Sequence, residues 1–245
     1  MKTKLLTAVA LLAILCSGSQ AQVLLSEDFE SFTNGDNPLA DGGGGWVYGK
    51  NVYSNDVGRT KLGEWFVGAD PITSFAETGQ SGLEQGDLVL KTYGDTGWAP
   101  DFDNNNWVET IIYQETAIDA GQAALGTVNF SFDYKTWPVA EGGQDLSGEA
   151  FIFIKVLNPG AGWTETVLET QEVTELDTTW ADGFLTADIS ALEGQVLQWG
   201  ISMTSQNFEP TAIGSDNLYV EIVPEPATIG LLGITGLGLF VARRR

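Results

Sequence analysis

Apolar and polar residues alternate with a period of two through much of the chain. Residues 87–93 (DLVLKTY) and 127–134 (TVNFSFDY) carry an apolar side chain at every second position, the spacing of a strand with one buried face. Residues 150–156 (AFIFIKV) are apolar on both faces, as in a strand central to a sandwich. The same criteria predict strands at 107–114, 165–170, 184–189, 196–203 and 218–223. Clusters of Gly, Asn, Asp and Pro at 41–45, 141–143 and 158–160 punctuate them as turns. Only residues 190–193 hint at a helical turn, and 35–85 is glycine-rich and irregular, which reads as long loops over the sheets. Many strands, turn punctuation and no helical periodicity predict an all-β fold, a two-sheet antiparallel β-sandwich.

The two ends break this pattern. Met1-Lys2-Thr3-Lys4 precedes an apolar stretch, 5–16, and then small residues up to Ala21. A charged start, a short apolar core and small residues before a break form a secretory signal peptide, 1–21, with cleavage after Ala21. The alternative, a lipoprotein anchored through Cys16, is disfavoured because Leu15 is large. At the other end Pro224-Glu225-Pro226 leads into an apolar run, 227–242, and Arg243-Arg244-Arg245. The run predicts a short hydrophobic helix, and the arginines orient it with the body facing outward. Its length and four glycines suit a temporary stop better than a permanent anchor.

These residues resemble the PEP-CTERM sorting signal of Gram-negative bacteria, with the Pro-Glu-Pro motif, apolar span and arginine cluster in order. The resemblance implies handling by an exosortase in a bacterium that makes extracellular polysaccharide, and so a place in the envelope, surface or biofilm matrix after a transient inner-membrane tether. It implies an address and not an activity. The chain then divides into a signal peptide (1–21), a β-sandwich domain (22–222) and a sorting tail (223–245).

Charge narrows the partners. Setting aside Lys2, Lys4, the three terminal arginines and Glu225, the body keeps six basic and 32 acidic residues, a charge near −26. Such a field repels nucleic acid and anionic lipid and favours cations. Calcium, a hard ion with oxygen ligands, is the cation expected outside the cell. The single cysteine lies in the signal peptide, so no disulfide staples the body, and histidine is absent. That removes Ser-His-Asp and Cys-His catalysis and the usual zinc sites.

A second resemblance spans most of the body. Ser26-Glu27-Asp28-Phe29-Glu30 leading to Gly45-Trp46, the segment 187–195 after Trp180, and Gly214-Ser215-Asp216-Asn217-Leu218 are similar to the opening and closing strands of jelly-roll adhesins and carbohydrate-binding modules. The resemblance implies a jelly-roll sandwich whose first and last strands share a structural Ca²⁺. Glu30 and Asp216 are the implied ligand pair, with Glu27, Asp28, Asp36 and Asn217 as helpers. A second candidate cation loop has oxygen side chains at Asp101, Asp103, Asn105 and Glu109, the 1, 3, 5 and 9 positions of a calcium loop. Ile112 and Asn106 break the remainder of that pattern, so a polar turn before a strand is the competing interpretation.

Eight tryptophans supply the other candidate chemistry. Trp98, Trp107, Trp137 and Trp163 lie in or beside polar, Gly- or Pro-containing segments and are candidates for stacking on sugar rings; Trp65, Trp180 and Trp199 sit in strand-like runs and read as core. Hydrolysis of a glycosidic bond needs two carboxylates flanking it, and the nearest sandwich-hydrolase pattern, Glu175-Leu176-Asp177, is broken by Trp180. The sequence therefore reads as an exported, non-catalytic adhesion or carbohydrate-binding module associated with exopolysaccharide. A structural matrix protein without a small ligand, or a polysaccharide hydrolase or lyase, is the alternative.

Overall fold

The computed structural model describes residues 20–36, 45–66, 74–93, 106–137, 149–173, 179–206 and 212–224. Within them the alternating segments form two antiparallel sheets. The first contains β1 (Gln22–Glu27), β4 (Ser74–Thr78), β5 (Leu88–Tyr93), β7 (Gly126–Thr136), β10 (Ala181–Asp188) and β12 (Ala212–Pro224). Its order is β10-β7-β12-β5-β4, with β1 joined to the later half of β12. The second contains β2 (Val47–Tyr53), β3 (Lys61–Phe66), β6 (Trp107–Ala117), β8 (Glu149–Asn158), β9 (Thr164–Glu172) and β11 (Val196–Gln206), in the order β3-β2-β6-β11-β8-β9. The architecture is the jelly-roll sandwich that the sequence predicts.

The core lies between the sheets. Val128, Phe130 and Phe132 of β7 and Val220 and Ile222 of β12 point inward from one side. Ile152, Ile154 and Val156 of β8 and Leu197, Trp199, Ile201 and Met203 of β11 meet them from the other. These positions are two apart along each strand, so the pleat sends every one to the same face. Removing this apolar surface from water is the main favourable term in folding, the more so without a disulfide in the body.

Three differences from the sequence reading stand out. The region read as loops, 35–85, contributes β2, β3 and β4. β2 and β3 pair with each other, and β2 also pairs along its whole length with β6, so neighbouring strands impose the geometry that local composition does not favour. Among the described residues the α-helix of the body is α1 (Ala120–Leu125), and 190–193 is a simple turn. Asp119 caps α1: its carboxylate accepts from Gln122 N while the Gln122 side chain accepts from Asp119 N, a reciprocal capping box. β1 begins at Gln22, the residue after the expected cleavage position.

Among the described residues no helix is long and apolar enough to cross a membrane. The apolar run 227–242 expected to form one lies outside them.

Candidate functional site

Among the described residues two places gather chemistry. The first is a set of carboxylates around Asp216. β12 is bulged between Asp216 and Tyr219, and Asn217 within the bulge adopts φ +48°. A bulge of this kind re-aims a side chain. Asp216 is 1 % exposed; its Oδ1 accepts from Asn217 N at 2.8 Å, and its Oδ2 has no hydrogen-bond partner. Across the ladder it faces Asp133 of β7. Burial pushes its carboxyl up to about 7, with the negative charges of Asp133, Asp28 and Glu30 adding to the rise and the Asn217 N–H opposing it.

The structure thus brings Glu30 and Asp28 to Asp216, as the sequence resemblance implies, and adds Asp133, which sequence reading missed. Glu30 Oε1 accepts from the N–H groups of Asp87 and Leu88, and it packs against Gly86, whose φ of +58° and crowded α-carbon both require glycine. Asn217 Nδ2 donates to Asp133 Oδ2 and to the Glu84 carbonyl, and Gln85 Nε2 also donates to Asp133 Oδ2. Glu27 and Asp36 are spent locally, accepting from Phe29 N and Thr33 N. An orphaned, buried carboxylate oxygen amid oxygen donors suits a hard cation. Among the described residues, however, no three acidic side chains converge closely enough to enclose one by themselves, so backbone or amide oxygens would have to complete the shell. Asp101, Asp103 and Asn105 of the other expected loop lie outside the described residues. Glu109 is not in a loop: it sits on β6 and belongs to the second site.

That second site is a groove of about 1040 Å³ on the outer face of the second sheet. Tyr53, Tyr113, Phe151, Phe153 and Trp163 supply its aromatic surface. Register explains how they meet. Tyr113 of β6 pairs with Gly200 of β11, which pairs with Phe153 of β8; one row away Ile111, Ser202 and Phe151 are aligned in the same manner. Phe151 and Phe153 are the outward half of the strand that is apolar on both faces; one face packs in the core and the other lines this groove. Polar groups stand among the rings. Glu109 accepts from Asn51 Nδ2 at 2.8 Å, Tyr53 Oη at 2.8 Å and Ser202 Oγ at 2.6 Å, and Gln198 Nε2 donates to Glu115 Oε2 at 2.8 Å. Lys155 Nζ lies 5.1 Å from the centre of the Phe153 ring. The groove thus combines a mostly apolar floor with a few polar groups held in fixed orientation, the composition of a ligand-binding site.

Gly200 leaves the floor between Tyr113 and Phe153 bare, and it has no alternative. A β-carbon there would collide with the Ile112 carbonyl oxygen, which is backbone and cannot yield. Gly200→Ala is expected to cost about 1–3 kcal/mol. A thermal melt should register that as a midpoint lower by roughly 2–12 °C.

Trp163 follows the turn between β8 and β9. It is 60 % exposed and holds φ +65°, a conformation that bulky residues rarely adopt. Asn158 begins the turn, its side chain accepting from Ala161 N, and Trp163 N donates back to the Asn158 carbonyl. Trp163 is thus an exposed tryptophan in a strained backbone that lines the groove.

The other expected stacking residues fare differently. Trp107 stands on β6 beyond the groove lining, and the Arg59 guanidinium lies 4.0 Å from its ring centre. Trp137 is a correction: it is 1 % exposed and packs with Val89 and Ala212 on the outer side of the first sheet. Lys91 Nζ lies 4.4 Å from its ring centre and Lys135 Nζ 5.7 Å, so Lys135, part of the polar segment that suggested exposure, is itself buried near the ring, and Lys91 joins it from β5. Trp98 lies outside the described residues. Trp199 is in the core, as expected, and Trp180 is half-buried, its Nε1 donating to the Gln80 carbonyl at 2.9 Å.

Comparison with known proteins gives two findings. Residues 223–245 match the PEP-CTERM protein-sorting motif, which marks a protein exported and held at the cell envelope. The match overlaps the last two residues of β12, where Pro224 still pairs with Gly126. Several solved structures are similar, carbohydrate-binding modules with β-sandwich folds among them. A family 16 carbohydrate-binding module is 12 % identical, covering 60 % of this chain and 84 % of its own, with a TM-score of 0.40. A promiscuous module of the β-sandwich superfamily is 14 % identical, covering 79 % and 60 %, with a TM-score of 0.45. The CBM22-1 xylan-binding domain from Paenibacillus barcinonensis Xyn10C is 13 % identical, covering 83 % and 96 %, with a TM-score of 0.41. No characterised protein matches by sequence.

Proposed function

We propose that this chain is an exported, non-catalytic module that binds a polysaccharide chain in the groove of its second sheet. The observation that carries this reading is the aromatic-lined groove itself, with Tyr113 and Phe153 on either side of Gly200 and Trp163 exposed at one end. C–H-rich sugar faces stack on such rings, while Glu109, Gln198 and Ser202 are placed for hydroxyl groups. The sorting motif supports export to the cell envelope; in this proposal it is handled by an exosortase after a transient tether, in a Gram-negative cell whose own exopolysaccharide is the ligand.

The enzymatic alternative needs two carboxylates about 5–9.5 Å apart. Glu109 and Glu115 line the groove from one strand, six residues apart, which separates their α-carbons by about 20 Å. Glu165 lies on β9, three strands from β6, or about 14 Å across the sheet. Glu109 is moreover held by three donors. That arrangement fits an orienting group and not a proton shuttle.

A Ca²⁺ held by Asp216 and Glu30, with Asp28 beside them, completes the proposal. Its chemistry there is electrostatic: it would compensate carboxylates that otherwise repel one another in a buried place. It sits on the first sheet, away from the groove, and so serves stability.

A glycan array probed with the full chain, with calcium and then with EDTA, tests the reading. Retention on a polysaccharide in both conditions, weaker in EDTA only where the protein has begun to unfold, is expected. Failure to bind any glycan, the producing cell's exopolysaccharide included, would leave the structural-matrix alternative.

A further inference from the structure

The tip of the turn joining β2 to β3, residues 54–60, stands in solvent with Val57 fully exposed, while its base is fastened to the sheet. Ser54 N donates to the Thr60 carbonyl and Thr60 N to Ser54 Oγ, both at 2.9 Å, while Arg59 N donates to the Asp56 carbonyl at 3.0 Å. The turn ends on Arg59, a non-glycine residue at φ +42°. From there the guanidinium passes 4.0 Å over the centre of the Trp107 ring on β6 and makes a two-pronged pair with Glu149 of β8, at 2.9 and 3.0 Å. β6 and β11 lie between β2 and β8, so the turn is fastened across a span of about 14 Å of sheet. The planar fork suits both partners at once, stacking on the indole and bonding the carboxylate.

This strap stands at one end of the groove. The lining reaches Tyr53, Lys61 and Glu109 and stops short of Trp107 and Glu149, both of which Arg59 engages. Among the described residues the diagonally opposite corner, at Glu165 and Trp163, has no such cover, and Trp163 stands exposed there.

We propose that the Arg59–Trp107–Glu149 strap closes the groove at one end, so that the site receives the terminus of a glycan chain and not its interior. The proposal rests on the glycan-binding reading above and adds the part of the chain that is bound. An internal stretch of polymer must leave the groove at both ends, and here the strap blocks one exit. Arg59 and Glu149 are specificity-determining through the wall they form, without lining the groove.

The test compares binding capacity on long β-1,4-xylan and β-1,4-glucan chains with that on their hexasaccharides, at equal mass of sugar, by calorimetric titration of the full chain. End recognition makes bound protein follow the number of chain ends, so capacity per unit mass should rise several-fold on the hexasaccharide. Arg59→Ala should raise capacity on the long polymer several-fold while the hexasaccharide value changes little. Glu149→Gln loosens the same strap should the first variant fold poorly. Capacity per unit mass that is independent of chain length in the unaltered protein overturns the proposal. So does a wild-type end preference that both variants retain, since the wall would then lie elsewhere. Absence of binding to these glycans and to every other array member would instead remove the glycan-binding reading, and end recognition with it.

Discussion

In the absence of divalent cations, the melting temperature should fall as pH rises from about 4 to about 7, and Asp216→Asn should abolish that slope. The native carboxyl of Asp216 takes its proton at about 7, far above the ordinary carboxylate range it has in the unfolded chain. Between those two values the folded state holds a proton that the unfolded state has lost, so stability declines with rising pH. Below the unfolded value, and again above the native one, this group contributes no further slope. A shift of about three units corresponds to at most about 4 kcal/mol. For a chain of this length that is a fall in midpoint of roughly 8–16 °C. Calcium changes the outcome, because a bound cation keeps the carboxylate ionised. Saturating calcium should flatten the curve and raise the midpoint near neutral pH, by about 2.7 kcal/mol at a hundredfold excess over Kd. Asp216→Asn should lose the calcium response together with the pH slope. A midpoint at pH 7 that is the same in calcium and in EDTA would take the metal out of the description. A slope surviving in Asp216→Asn would assign it to other carboxylates.

The second large effect concerns Trp163, where binding and stability should move in opposite directions. Holding a non-glycine residue in the left-handed region costs roughly 1–3 kcal/mol. Glycine tolerates φ +65° without that penalty, and at 60 % exposure the indole buries little of its surface in the fold. Trp163→Gly is therefore expected to keep or raise the melting temperature by a few degrees. The same substitution removes the exposed ring at the open end of the groove. Truncating an aromatic hot spot costs about 2 kcal/mol or more. That is roughly a thirtyfold loss of affinity for an oligosaccharide. A fall in midpoint with affinity intact would show that Trp163 serves the fold.

Several strands were legible because burial on one face writes itself into the sequence. The alternation of 127–134 became the middle of β7, and 196–203 the first eight residues of β11. β2 and β3 were hidden because VYGKNVY and KLGEWF carry glycines and charges at positions that only their neighbours make strand-like. α1 is six residues long, too short to show a helical period, and only Asp119 and Gln122, three apart, announce it.

The site was legible in part for the same reason. Asp216 could be paired with Glu30 through the motifs at both ends of the body, whereas Asp133 looks like one more solvent-facing residue of β7 until the register sets it opposite Asp216. Polar neighbours made Trp137 look exposed, since a buried lysine stacked on an indole has no signature of its own. The groove was concealed in residues 150–156: apolar side chains on both faces suit a strand packed on both sides and equally one whose outer face waits for a ligand. Tyr113 and Gln198 become neighbours of Phe153 only through pairing across three strands.

Chemical-shift mapping of the backbone amides during titration with a glycan taken from the array asks directly whether the outer face of the second sheet is where sugar binds. Saturable shifts should concentrate on Tyr113, Phe153, Trp163, Gln198 and Ser202, leaving Phe184 and Thr186 on the outer face of the first sheet unmoved. Shifts centred on the first sheet, or binding that leaves these five residues unperturbed, would contradict it.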